Sequence, residues 1–214
     1  MIKLEHVDKY YGSFHVLKDI SFEVGKGEFL SIVGRSGSRK STLLNIIGGM
    51  DKAESGKVIV DNEDISSYSD DKLTLYRRRK VGFIFQFFNL LPNITVFENI
   101  SMPLILNNIM DEEKVKNFIK LVGLEGKEKS FPFQLSGGEQ QRVAIARALI
   151  HSPEIILADE PTGSLDSETG AMIMELICGL MRNLGKTIII VTHESYIAQY
   201  AGRIITIKDG IIYK

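Results

Sequence analysis

A chain of 214 residues with 44% hydrophobic side chains is long enough to bury a substantial core, as one large domain or two small lobes. Its 26 basic and 27 acidic residues leave a formal net charge of -1, so there is no chain-wide basic field of the kind that announces a nucleic-acid or membrane-surface binder. The single cysteine excludes an internal disulfide framework, and no apolar run approaches the ~18 residues of a membrane span, so a cytosolic chain with no direct membrane insertion is expected.

In chain order, the opening MIKLEHVDKYYG mixes acids and bases instead of showing a charged and then apolar leader, and residues 2–7 and 16–24 read as strands. Residues 29–33, FLSIV, form a continuous apolar strand that runs into GRSGSRKST, and the helical KSTLLNIIGG leaves it. Strands at 57–60 and 81–85 follow. The intervening RRRK, residues 77–80, is read as a solvated helix end, because no aromatic-interleaved basic surface accompanies it.

The stretch from about residue 87 to 150 looks mostly helical. Within it Val115, Phe118, Ile119 and Val122 make a stripe at helical spacing, with acids at the start and Gly123 near the end. A strand at 155–158 precedes a helix that begins near Ser167 and stops at Gly185. There Ile173, Leu176, Ile177, Leu180 and Leu184 recur at helical spacing, which makes Cys178 a core residue instead of a redox one. Strands at 187–192, 204–208 and 211–213 close the chain, the last two around the turn pair Asp209-Gly210. The composition predicts an α/β core, residues 1–86 and 151–214, with a helical lobe, 87–150, inserted into it.

GRSGSRKST fits the phosphate-loop pattern G-x-x-x-x-G-K-[ST] through Gly34, Ser36, Gly37, Ser38, Lys40, Ser41 and Thr42, but Arg39 stands in place of the second pattern glycine. In such a loop the backbone N–H groups and a helix start face the phosphates. Lys40 would neutralise the β- and γ-phosphates, and the Ser41 hydroxyl would ligate Mg²⁺. Without its flanking strand and helix the stretch would be an ordinary Gly/Ser-rich turn. Glycine at position 39 would permit close approach of backbone to phosphate and a positive φ. Arginine there predicts impaired nucleotide binding or hydrolysis, through bulk more than through the ~1–2 kcal/mol of a left-handed residue.

IILADEPTGSLD is an apolar strand ending in two acids. Asp159 would hold Mg²⁺, directly or through water, and Glu160 would accept a proton from the attacking water or orient it. Taken alone, the pair would be a helix-start or loop feature. LSGGEQQRVAIARAL places Ser136, Gly137 and Gly138 before a strongly helical run, a second helix start with bare backbone amides. The plainer alternative is a capping box between Ser136 and Glu139.

Together these motifs resemble the nucleotide-binding subunit of an ATP-binding cassette (ABC) transporter, over essentially the whole chain. The resemblance implies a P-loop NTPase of ABC ATPase type, an α/β fold with a mixed β core and an inserted α-helical subdomain. LSGGEQQR resembles the family signature, and ILADEPTGSLD the Walker B motif and the following D-loop with Asp166. Gln86 matches the glutamine loop that reaches metal and γ-phosphate, His193 the switch histidine, and Tyr11 the aromatic that stacks on adenine. The family pairs two subunits head to tail on ATP, so Ser136 and Gly138 would meet the γ-phosphate bound to the partner.

VGFIFQFFNLLPNITVFENISMPL looks most like the branch that serves macrolide export, lipoprotein release, antimicrobial-peptide resistance and cell division. The resemblance implies ATP and Mg²⁺ as cofactors, no nucleic-acid partner, and a permease on a separate polypeptide that holds the chain at the inner face of the membrane. The permease would dock near residues 86–92. A nucleotide-gated regulatory module with little turnover, or a soluble ATPase of translation or repair, is the alternative.

Overall fold

The computed structural model describes residues 1–35 and 37–213, apart from the side chains of residues 181–184; Ser36 of the phosphate loop and the Leu184 side chain of the helical stripe lie outside the described residues. The elements are β1 (Ile2–Tyr11), β2 (Phe14–Val24), β3 (Phe29–Val33), α1 (Lys40–Ile47), β4 (Ser55–Val60), β5 (Glu63–Asp64), α2 (Asp70–Lys80) and β6 (Val81–Phe85). They continue with α3 (Val96–Leu106), α4 (Glu112–Leu121), α5 (Gly137–Leu149), β7 (Ile155–Asp159), α6 (Ser167–Leu184), β8 (Thr187–Thr192), α7 (Ser195–Ala198), β9 (Arg203–Lys208) and β10 (Ile211–Tyr213). Two compact units result, residues 1–77 with 186–214, and residues 78–185.

The first unit holds an antiparallel sheet in the order β2-β1-β4-β5. It also holds β3 in parallel register with β8 on one side and β9 on the other, with β10 antiparallel to β9. Every residue of β8 and the middle of β3 are buried, as the unbroken apolar sequences of parallel strands require. α1 buries Leu43, Leu44, Ile46 and Ile47. Two elements carry no periodic signal. β5 is two residues long, made possible by Asp61 and Asn62 at φ 51 and 68, the positive values a tight hairpin demands. α2 buries Leu73 and Tyr76 alone among its eleven residues, and Arg77 of its RRRK end donates to the Gly49 carbonyl at 2.6 Å.

The second unit pairs β6 with β7 in parallel, from Val81 opposite Ile155 to Phe85 opposite Asp159. Its helical core joins Val96, Ile100 and Leu104 of α3 to Val115 and Ile119 of α4 and Val143 and Ala146 of α5. The stripe read from the sequence is therefore the face α4 buries, with Phe118 half-buried at its margin. Thr95 and Glu98 cap α3 reciprocally. Ile173, Ile177 and Leu180 of α6 are buried, while Cys178 is half-buried.

β6 approaches α5 closely at Gly82, where a Cβ would overlap the Ala148 carbonyl oxygen and come within 2.9 Å of Ile156 Cδ1. Gly179, inside α6, has nothing within 4 Å of a built Cβ. Gly82→Ala should therefore lose ~1–3 kcal/mol of stability as an overpacked site, whereas Gly179→Ala should gain up to ~1 kcal/mol from helix propensity. Urea unfolding midpoints check both; an unchanged midpoint for Gly82→Ala would deny the close approach.

Candidate functional site

β3 delivers the chain into the phosphate loop, and Lys40 opens α1 immediately after it. The Lys40 ammonium donates to the carbonyls of Gly34 at 2.9 Å and Arg35 at 3.3 Å, and lies 3.5 Å from Ser38 Oγ. With Lys40 4% exposed, the loop wraps the cation almost completely. Gly34 is obligatory because a Cβ would overlap the Ile207 carbonyl oxygen and come within 2.5 Å of Ser38 Oγ, and Gly37 holds φ 77. Ser41 is exposed on the first turn of α1 and Thr42 follows half-buried.

Arg39 is the residue before α1 and adopts φ 70, ψ 25, the left-handed conformation expected of the glycine it replaces. Its side chain leaves the loop: the guanidinium carbon stands 4.3 Å from the centroid of the Phe14 ring, and Nη1 is 3.5 Å from the Val16 carbonyl. Lys40 keeps its loop contacts, so the arginine's length does not displace it.

Tyr11, at the end of β1, is fixed beside the loop. Its hydroxyl donates to Asp51 Oδ2 at 2.6 Å, and Thr42 lies within hydrogen-bonding reach of the same hydroxyl. The Asp51 carboxylate holds the Tyr11 phenol above its ordinary pKa. Asp51 also accepts from the buried Lys9 ammonium at 2.7 Å, which stands 5.0 Å from the Tyr11 ring centroid. Burial opposes the charge on Lys9, but hydrogen bonds to Asp51 and Glu54 outweigh it and raise its pKa. Tyr11 nevertheless remains 52% exposed. His193 is exposed one residue beyond Thr192, which pairs in register with Val33 at the mouth of the loop.

In the second unit the register of β6 and β7 sets Phe85 against Asp159, so Gln86 and Glu160 are the next residues of the two strands. A Cβ built on Gly163 would lie 2.9 Å from Gln86 Nε2 and 3.3 Å from Glu160 Oε2, so amide and carboxylate converge over that glycine. Glu160 sits at φ 44, and Phe88 and Asn89 of the glutamine loop at φ 60 and 49, a concentration of left-handed non-glycine residues.

Three side chains hold this region, and none was singled out by the sequence. Gln141, fully buried on α5, donates to the Pro161 carbonyl at 2.6 Å and the Phe85 carbonyl at 3.4 Å. Arg147, also on α5, donates to the carbonyls of Asn89 at 2.6 Å and Phe88 at 2.8 Å, and burial lowers its pKa. Ser164 donates to the Gln86 carbonyl at 2.7 Å. The available signal for Gln141 and Arg147 was polar residues flanking the apolar run of residues 143–146, which α5 buries completely.

Ser136 caps α5 in a reciprocal box with Glu139: its N–H reaches Glu139 Oε2 at 2.8 Å, and the Glu139 N–H reaches Ser136 Oγ at 3.3 Å. The plainer alternative is thus realised, and it leaves Ser136 exposed with Gly137 half-buried behind it. Gly138 is buried, with no room for a Cβ, which would meet Thr169 Cγ2 at 2.6 Å. Asp166 accepts from Thr169 N–H at 2.9 Å and its hydroxyl at 2.7 Å, and so caps α6. Tyr11, Lys40, Ser41, Thr42 and His193 thus belong to the first unit, and Gln86, Ser136, Gly138, Asp159, Glu160 and Asp166 to the second.

The family described as ABC transporter matches residues 17–163. The uncharacterized ABC transporter ATP-binding protein MJ0796 of Methanocaldococcus jannaschii is 48% identical over 98% of this chain and 94% of its own length. The macrolide export ATP-binding/permease protein MacB of Mannheimia succiniciproducens is 47% identical over 99% of this chain, which spans 34% of that protein. A dimeric, post-hydrolysis structure of the cassette MJ0796 bound to ADP and Pi superimposes with a TM-score of 0.91 at 45% identity, covering 100% of this chain and 98% of that one. This chain belongs to the ABC transporter family, as one of its ATP-binding cassettes.

Proposed function

We propose that the chain binds Mg-ATP and hydrolyses it to energise a separate membrane permease that exports a substrate or extracts it from the membrane. The observation that carries this reading is the Lys40 ammonium enclosed by the phosphate-loop carbonyls at the start of α1. Tyr11 would stack on adenine, and His193, beside the loop mouth, would contact the γ-phosphate. Glu160 would take the proton of the attacking water while Gln86, its neighbour over Gly163, orients that water.

Ser41, Gln86 and Asp159 offer hard oxygen donors, the chemistry that suits Mg²⁺ shared with phosphate oxygens and water. When bound, the ion would neutralise charge on the transferring phosphoryl group. Among the described residues no group of three or more His, Cys, Asp or Glu side chains gathers, in keeping with an ion that arrives with the nucleotide.

Two copies would close head to tail on ATP, with Ser136, Gly137, Gly138 and Asp166 of one facing the phosphates bound by the other; the dimeric relative supports pairing. Residues 1–86 and 151–214 would then act as the ATP-binding core and residues 87–150 as the signature subdomain. Among the described residues no helix is long and apolar enough to cross a membrane, so attachment to the inner face would run through the permease. Phe87, 73% exposed, and Leu91, whose backbone buried Asn99 fixes at 2.9 and 3.1 Å, offer it an apolar surface.

Arg39 would impair this activity without abolishing it, since its Cβ stands where glycine would let backbone close on phosphate. Arg39→Gly should tighten Mg-ATP binding and raise turnover. Calorimetry and steady-state phosphate release check this, and equal values for the two chains would mean the loop tolerates arginine. Combined with Arg39→Gly, Glu160→Gln should accumulate an ATP-bound dimer on size exclusion, because binding survives while the base is lost; a monomer at saturating ATP would contradict head-to-tail closure. Tyr11→Ala should weaken ATP by ~1–3 kcal/mol with less change in single-turnover rate, whereas Tyr11→Phe, which keeps the ring, should retain most affinity.

A further inference from the structure

Phe14 is the first residue of β2 and the direct cross-strand partner of Tyr11 at the hairpin end. Phe14 is 58% exposed, an unusual place for a phenylalanine. Its visible contact is with the guanidinium of Arg39, 4.3 Å from the ring centroid. Nη1 of the same guanidinium lies 3.5 Å from the Val16 carbonyl and 3.4 Å from where a Cβ of Gly210 would stand. The arginine is thus led along β2 toward the β9–β10 turn and away from the carbonyls that wrap Lys40.

The backbone gives this contact its importance. At φ 70, Arg39 is held in the conformation the phosphate loop needs, so its side chain must leave from a fixed point next to Lys40. A long cation released there would compete with Lys40 for loop carbonyls and occupy space into which phosphate must fit. A ring face attracts a guanidinium through its quadrupole, with Arg the favoured partner.

We infer that Phe14 is a positioning residue for nucleotide binding, which docks the Arg39 guanidinium outside the phosphate loop and thereby keeps an arginine-bearing loop open to phosphate. The inference rests on the reading of the chain as an ATP-binding cassette. It makes positions 14 and 39 energetically coupled: Phe14 matters when Arg39 is present and has nothing to hold when glycine replaces it. A ring that instead stacked on the base, as Tyr11 is proposed to do, would matter equally in both backgrounds.

The test is a double-mutant cycle in Mg-ATP affinity by calorimetry, on the full chain, with Phe14→Ala, Arg39→Gly, the double variant and Phe14→Tyr. Phe14→Ala should weaken Kd by roughly three- to fivefold in the chain that keeps Arg39, the scale of an exposed cation–π pair, and by less than about 1.5-fold in the Arg39→Gly chain. Phe14→Tyr, which keeps the ring face, should restore the original affinity. Equal weakening in both backgrounds, no weakening in either, or a Phe14→Tyr chain as weak as Phe14→Ala would overturn the inference. Binding by Arg39→Gly separates the two levels: if that chain fails to bind Mg-ATP, the cassette reading fails and the inference with it. If it binds and the cycle closes without coupling, the inference alone is lost.

Discussion

The enclosure of the Lys40 ammonium by its own loop is the constraint on which the rest of the site depends. A cation 4% exposed is stable there only because carbonyls replace its water, and the carbonyls of Gly34 and Arg35 converge only if the backbone turns back on itself. That return is what demands a glycine beneath Ile207, a positive φ at Gly37 and a left-handed residue at position 39. Arginine can satisfy the last demand at a modest conformational cost. Its side chain then becomes a second problem, which the hairpin end solves by supplying Phe14. Sequence, local strain and a distant aromatic are therefore linked through one lysine.

In the second unit α5 has a comparable role. Its N-terminus carries the signature glycines, and two of its side chains reach the backbone of the glutamine loop and of the segment after β7. Loops with several left-handed non-glycine residues would relax if left to themselves. Gln141 and Arg147 oppose that relaxation by occupying the carbonyls of Phe85, Phe88, Asn89 and Pro161. The segments that carry Gln86 and Glu160 are thereby both tied to one helix, α5, whose start is a proposed phosphate contact. A displacement of that helix would be felt at both residues.

Much of this was legible because the physics behind it is local. A buried parallel strand needs an unbroken apolar run, so FLSIV and TIIIVT declared themselves. The stripe of α4 follows from helical spacing, and the Ser136 box from a serine three residues before a glutamate. The left-handed state of Arg39 followed from its position in the loop pattern. What stayed hidden depends on register. Phe14 faces Tyr11 only through the pairing of β1 and β2, and Gln86 meets Glu160 only because Phe85 opposes Asp159. Asp51 reaches Tyr11 from forty residues away, and no periodicity carries such a contact. β5, and all of α2 but its RRRK end, escaped for a different reason, since neither buries enough apolar surface to leave a pattern.

Titrating Mg-ATP into the unaltered chain and into Lys40→Ala decides whether the Lys40-centred loop is a working phosphate site despite Arg39. The unaltered chain should bind saturably, and binding should weaken at least ~tenfold when the charged donor is removed, as expected for a charge-assisted hydrogen bond. Absence of binding by the unaltered chain, or equal affinity in the two, would contradict a working phosphate site.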